Sequence, residues 1–307
     1  MEKVLIIDWD NYLSRLFFTN KVIIWKDKEE NDIIDTYETI QKTLKTLSYF
    51  NNLINFKTYT KIIFAFDTKT WKESNSRILS EINKKYNIDS AWYKWKRDKR
   101  PEFDEYKKIL QNLIYFQWFE IYTSHTHEAD DVIATIVEKH KNDNNVHYID
   151  ILSRDNDMLQ LLDTNVFIVY WLSQKDLKEK VSVWTLKLKY LTKFNLKINN
   201  PSDIIIIKAI AGDKSDNIVW VKWIAEKTLA NDLEGKNDIK ESSIYIKHKE
   251  YIDEVAKVIE LNKNINDDEL KHLKIDYNVE LFNWYLNKLS LEKDLTKKEI
   301  KIDDIKN

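Results

Sequence analysis

Glu128-Ala129-Asp130-Asp131 puts three carboxylates within four residues. Ala129, Val132, Ile133, Ile136 and Val137 follow helical spacing, so the stretch reads as the opening of an amphipathic helix with one apolar face. A helix N-terminus tolerates negative charge, worth about 0.3–1 kcal/mol per group, so an acidic first turn alone is the bland reading. Carboxylates this close also repel one another unless a cation neutralises them, and the sharper reading is a metal site. Other acids bear on the choice. Asp8, Asp67 and Asp155 each follow an apolar run, Asp155 within Ser153-Arg154-Asp155-Asn156-Asp157, and Gly212-Asp213-Lys214-Ser215-Asp216-Asn217 adds two more. One Asp after a strand is a common turn former. Three of them, with the acidic helix, point to oxygen ligands gathered for a hard cation.

The positioning elements can be read from the apolar runs. Residues 4–7, 61–66, 147–152 and 166–170 read as strands, and residues 33–56 as a helix. Strands alternating with helices predict an α/β fold with a mostly parallel central sheet. Ligands of such sheets bind beyond the carboxyl ends of the strands, where these acids fall. From about residue 176 the pattern turns helical. Asn200-Pro201-Ser202-Asp203 predicts an N-cap with Pro at the first helical position, opening a helix to residue 211. Residues 236–307 read as charged helices. The organisation expected is an α/β domain over 1–175 and a helical C-terminal region over 176–307.

The 307 residues carry 49 basic and 51 acidic groups, net charge −2, so nucleic-acid binding would have to rest on local segregation. Residues 84–108 show it, with nine Lys or Arg against five Asp or Glu. No apolar run approaches the length of a membrane span. The short run after Met1 stops at Asp8 and reads as a first strand rather than a signal peptide. With no cysteine, disulfides and thiolate zinc sites are excluded, which suits a cytoplasmic protein. His125 and His127 read as loop residues before the acidic helix. One composition is anomalous: 11 Trp and only 2 Gly, where about 20 Gly is usual at this length.

Taken in order over residues 4–227, these motifs resemble the flap endonuclease family of structure-specific 5′ nucleases, most closely the free-standing bacteriophage 5′–3′ exonucleases. The resemblance implies a PIN-like nuclease core with a helical arch at about residues 84–110 and a helix-three-turn-helix at about residues 204–230. It implies metal-binding carboxylates at Asp8, Asp67, Glu128, Asp130, Asp131, Asp155, Asp157, Asp213 and Asp216. Two Mg²⁺ ions, with Mn²⁺ able to substitute, would be shared between them. Asp8, Asp67, Glu128 and Asp130 would lie nearer one ion, and Asp155, Asp157, Asp213 and Asp216 nearer the other. Asp131 would serve either ion or orient a ligand. Within Tyr93-Lys94-Trp95-Lys96-Arg97-Asp98-Lys99-Arg100, Lys94 and Arg97 match the positions that reach the scissile phosphate. Lys96, Lys99 and Arg100 would steer the backbone, and Tyr93 would stack on a base. A bare basic run is otherwise a solvated helix. Lys214, Trp220, Lys222, Trp223 and Lys227 fall on the hairpin and following helix that would grip the duplex, with K⁺ as a possible hairpin ion.

The hairpin departs from the family. Where the family reads roughly Gly-Val-x-Gly-Ile-Gly, this chain has Trp220-Val221-Lys222-Trp223-Ile224-Ala225. Glycine there permits positive φ and close approach to phosphate, and Trp would cost about 1–3 kcal/mol per such position. Trp9 and Trp95 also stand where glycine is usual. A single cause would be a UGA codon reassigned to glycine and translated here as Trp. The alternatives are an aromatic-rich DNA face with altered activity or, for Trp118 and Trp284, ordinary core positions.

The expected function is a metal-dependent 5′–3′ exonuclease or flap endonuclease in replication or repair. It would act as a separate monomeric protein on DNA with 5′ flaps or free 5′ ends and on RNA primer–DNA hybrids. Two rivals remain: a non-catalytic DNA-structure-binding protein, and a PIN-like RNA nuclease. The intact carboxylates argue against the first, and the hairpin and helix after Gly212 against the second.

Overall fold

The computed structural model describes residues 1–26, 32–67, 72–87, 101–115, 119–171, 180–213, 218, 219, 221, 226–234, 236, 238–274, 280–285, 287 and 288. The first half of the chain contains β1 (Glu2–Asp8), α1 (Trp9–Asn20), β2 (Ile23–Lys26), β3 (Asp32–Ile34), α2 (Thr36–Asn55), β4 (Lys61–Phe66), α3 (Lys72–Lys85), α4 (Pro101–Tyr115), β5 (Glu120–Ser124) and α5 (Ala129–Lys141). It continues with β6 (Val146–Leu152), β7 (Val166–Val169), α6 (Val183–Phe194), α7 (Asp203–Ala211), α8 (Glu226–Asp232), α9 (Ser243–Lys247), α10 (Lys249–Ile259) and β8 (Leu270–Lys274).

Six strands form one sheet in the order β7-β6-β1-β4-β5-β8. All neighbours are parallel except β5 and β8. Both faces are covered, which is why the central strands read as continuous apolar runs. Alternate side chains serve different cores. Val4 and Ile6 join Ile63, Ile149 and Ile151 under α5, α7 and α10. Leu5 and Ile7 join Phe64, Phe66 and the apolar residues of α1, α2 and α4. The expected stripe of α5 is buried throughout: Ala129, Val132, Ile133, Ile136 and Val137. β1 lies between β4 and β6, so the chain runs outward on one side of it and returns to the other. The carboxyl ends of these strands form the crevice where such folds bind ligands.

The predicted strand at 61–66 appears unshifted as β4, those at 147–152 and 166–170 as β6 and β7 with one end moved by a residue, and that at 4–7 as the longer β1. Three features differ. α7 starts at Asp203, and Pro201 lies in the turn before it rather than in its first position. The reason is Asp203, whose carboxylate accepts the backbone N–H groups of Asn199 and Asn200 and closes that turn. Residues 236–307 are not all helical: β8 returns to the sheet and pairs antiparallel with β5. β5 itself and the β2–β3 hairpin went unread in the sequence.

Candidate active site

The site is built at the ends of β1, β4 and β6. Asp8 is the last residue of β1 and caps α1, its Oδ1 accepting the Asn11 N–H at 3.2 Å. A strand ending in a capping acid turns into a helix and leaves the carboxylate at the sheet edge. Ser153, just past β6, is fully buried and donates from Oγ to Asp8 Oδ2 at 2.7 Å. The same Oγ accepts the Asp155 N–H at 3.0 Å, and Asp155 Oδ1 accepts the Asp157 N–H at 2.9 Å. One chain of hydrogen bonds thus joins Asp8, Ser153, Asp155 and Asp157.

Asp67 follows β4 directly. Its Oδ1 accepts the backbone N–H of Ala129, the first residue of α5, at 2.7 Å. The Asp67 carboxylate therefore sits at the positive end of that helix dipole. It fixes the turn that carries Glu128, the α5 N-cap, and Asp130. Asp131 turns elsewhere: its Oδ1 accepts the Asn262 N–H at 2.7 Å, in the segment after α10. Burial pushes Asp131 up to about 6.

Lys208 completes the other side. It is the one charged residue between Asp203 and Gly212 on α7, and its ammonium binds both Asp157 and Asp213, the latter at 2.9 Å. Gly212, at φ 76°, ends α7 and turns the chain to Asp213, a conformation that favours glycine. Asp213 then pairs with Ile218 across the start of the loop.

Three further residues went unread: Asp10, Lys107 and Arg15. Asp10 Oδ2 accepts the Asp67 N–H at 3.0 Å, and Asp10 Oδ1 lies 2.5 Å from Lys107 Nζ on α4. Arg15 of α1 donates from Nη1 to the Tyr170 carbonyl at 2.7 Å and lies over the Trp171 ring. The Asp8-x-Asp10 pair and the lone lysine of α7 were visible signals. Lys107, one lysine on a charged helix, gave none.

The electrostatics are those of crowded acids. Burial raises Asp8 to about 7, and the charges of Asp155 and Asp67 push the same way. Burial and then Asp67 raise Asp10 to about 6, against the pull of Lys107. Among the described residues no three acidic or histidine side chains close into a finished ligand set. Lysines hold part of the charge instead. The donors still suit a hard divalent cation, because all are oxygens and a cation would relieve the repulsion.

The structure thus groups Asp8, Asp67 and Asp155 electrostatically, joins Asp157 to Asp213 through Lys208, and holds the Glu128–Asp130 turn on Asp67. Lys227 is exposed on α8. Tyr93, Lys94, Lys96, Arg97, Lys99, Arg100, Lys214, Asp216, Trp220, Lys222 and Trp223 lie outside the described residues, as do Trp95 and Trp118. Trp284 is 58% exposed and is not a core residue.

A mostly parallel sheet with acids along its carboxyl edge is the architecture of the PIN-like nuclease fold. Residues 3–190 match the family model of the 5′-3′ exonuclease N-terminal resolvase-like domain. A 5′-3′ exonuclease of Mycoplasmopsis pulmonis is 30% identical over 310 aligned positions, covering 91% of this chain and 88% of the relative. The chain belongs to the 5′-3′ exonuclease family. DNA polymerase I of Caldicellulosiruptor bescii is 32% identical across half of this chain, a match spanning 17% of the polymerase. Among solved structures, a zinc-bound T5 5′-exonuclease shares the fold, with TM-score 0.56 and 16% identity over 94% of this chain and 98% of that one.

Proposed function

We propose that this protein hydrolyses phosphodiester bonds near the 5′ ends of DNA, at flaps, free ends or RNA primers. The observation that supports this reading most is the hydrogen-bonded run Asp8–Ser153–Asp155–Asp157, ending on Lys208 and Asp213. It lines up acids from three separate segments along one sheet edge. Asp8, Asp67, Glu128 and Asp130 would hold one Mg²⁺ or Mn²⁺, and Asp155, Asp157, Asp213 and Asp216 a second. Such cations neutralise the phosphate and lower the pKa of water to supply a nucleophile. Lys208 keeps Asp157 and Asp213 together before any cation arrives. Ser153 keeps one Asp8 oxygen oriented, and Asp131 supports the α5 turn from behind through Asn262. Lys94 and Arg97 would stabilise charge on the scissile phosphate. Lys96, Lys99 and Arg100 would draw the strand in, and Tyr93 would stack on a base. Lys214, Trp220, Lys222, Trp223 and Lys227 would meet the duplex, with K⁺ at the hairpin. Metal ions and DNA accompany a T5 flap endonuclease of this fold in its solved complex.

The test uses Asp155→Ala and Asp213→Ala on a 5′-flap DNA. Cleavage in Mg²⁺ should fall to background while flap binding in Ca²⁺ survives. Persistent cleavage would sink the two-metal assignment. Preference for a structured RNA over the flap would instead favour an RNA nuclease.

A further inference from the structure

Resting on that cation-binding reading, we propose that Asp10 and Lys107 are a positioning couple for Asp67: they hold its backbone in place and tie it to α4. Asp10 is the second residue of α1 and points across to the end of β4. One carboxylate oxygen takes the Asp67 N–H at 3.0 Å, and the other takes the Lys107 ammonium at 2.5 Å. The two side chains keep only 18% and 21% of their surface. Asp67 in turn holds the first amide of α5. Four elements are therefore linked through polar contacts in a single line: α4 by Lys107, α1 by Asp10, the end of β4 by Asp67, and α5 by Ala129.

This arrangement has a cost that a purely structural contact would avoid. Asp10 puts one more acid against a group of acids, and the repulsion between Asp10 and Asp67 is part of what makes Asp10 hard to ionise. Lys107 offsets that charge. A serine could accept the Asp67 N–H without adding charge. Keeping the carboxylate brings α4 into the network, because only an acid gives Lys107 an ion partner there. α4 begins at Pro101, directly after the basic stretch 93–100 assigned to the phosphate. Placement of the Asp67 carboxylate and placement of that helix are thus coupled through one buried pair. By linkage, a cation that fixes Asp67 also restrains α4, and a substrate that moves α4 acts back on the cation.

Charge and position can be separated by comparing two double variants of equal net charge. D10N/K107M removes both charges but keeps an amide oxygen to accept the Asp67 N–H. D10A/K107M removes both charges and the acceptor. Mn²⁺ affinity is measured by titration calorimetry, with folding checked by urea denaturation. Loss of a residue that orients a ligand typically weakens metal binding by about 10–100-fold, so D10A/K107M should bind at least about tenfold more weakly than D10N/K107M, which should stay within about threefold of the parent. Equal affinities of the two variants would overturn the positioning role. The tether to α4 is read by hydrogen exchange. Mn²⁺ should slow exchange of the α4 amides around Leu110 and Leu113 in the parent, and this gain should vanish in D10N/K107M. A gain that survives in D10N/K107M would overturn the coupling. If the parent itself binds no Mn²⁺, the proposed function fails first, an outcome distinct from either.

Discussion

Single residues set the chemistry, and Asp8 is the most constrained of them. Burial holds its carboxyl at about 7, far above the usual 3.8. Between those values the folded chain keeps a proton that the unfolded chain has released. The contribution of Asp8 to stability therefore falls as pH rises from about 4 to about 7. In urea titrations across that range, D8N should gain stability relative to the parent. Mg²⁺ at neutral pH should stabilise the parent more than it stabilises D8N; a difference between the two that does not change with pH would count against the burial argument. Trp9 is a second test at this scale. It is fully buried against Phe64 and Phe66, with centroids 5.4 and 5.8 Å away. Among the described residues, only Lys57, Asn87, Asn195 and Gly212 have positive φ. Position 9 thus needs no glycine for its backbone, unlike the case made for the hairpin. The indole N–H has no acceptor there. W9F should cost under about 1 kcal/mol, because it removes an unsatisfied donor along with some contact area. W9G should cost about 3–5 kcal/mol in urea denaturation, the range for emptying a large aromatic site. The acids that end strands were legible because an apolar run stopping at Asp is a visible pattern. Asp10 and Lys107 were not legible as a pair, because their meeting depends on how α1 and α4 pack on the sheet.

At the scale of elements, the site is a set of helix ends and strand ends pinned by side chains. Asp67 caps α5, Asp155 caps the turn after β6, and Lys208 ties that turn to the end of α7. The α5 opening could be read from the sequence because its acidic first turn precedes a strict apolar stripe. The start of α7 was misplaced because Asp203 accepts the amides of Asn199 and Asn200 and closes a turn through Pro201 ahead of the helix. Lys208 gives the sharpest test here. Replacing it by Met removes the ammonium that binds both Asp157 and Asp213. Removing one partner of a buried pair costs about 3–5 kcal/mol; the three side chains keep 14–15% exposure, so about 2–4 kcal/mol is expected. A divalent cation can then take the place of the lysine. Mg²⁺ should raise the urea midpoint of K208M by more than it raises that of the parent. Equal shifts would mean that Lys208 does not stand in for cation charge.

Over the whole molecule, the sequence divides at about residue 175, where strands give way to helices, yet the packing crosses that line. One continuous core joins Val4, Ile63 and Ile151 of the sheet to Ile207 and Ile210 of α7 and to Ile252 and Val255 of α10. β8, from the last part of the described chain, extends the same sheet beside β5. Lys85 of α3 binds Glu250 and Glu254 of α10. Those exposed pairs add little, but the shared apolar core is the main favourable term. Neither half buries its apolar surface alone, because residues of β1, β4, α5 and β6 share one core with residues of α7 and α10. The chain should therefore unfold as one cooperative unit, although its composition suggests two. Hydrogen exchange along a denaturant series supplies the measurement, with β6 amides reporting one half and α10 amides the other. Both sets should lose protection at the same denaturant concentration. If α10 opens well before β6, the helical region is a separable body, and the Lys208 and Asn262 contacts would have to form anew each time it docks. Coincident loss would mean that the acids on α5, on the turn after β6 and beyond α7 are held in register by the same cooperative packing, so a core substitution such as Ile252→Ala, on α10 and outside the proposed ligand set, should weaken Mn²⁺ binding as well as stability.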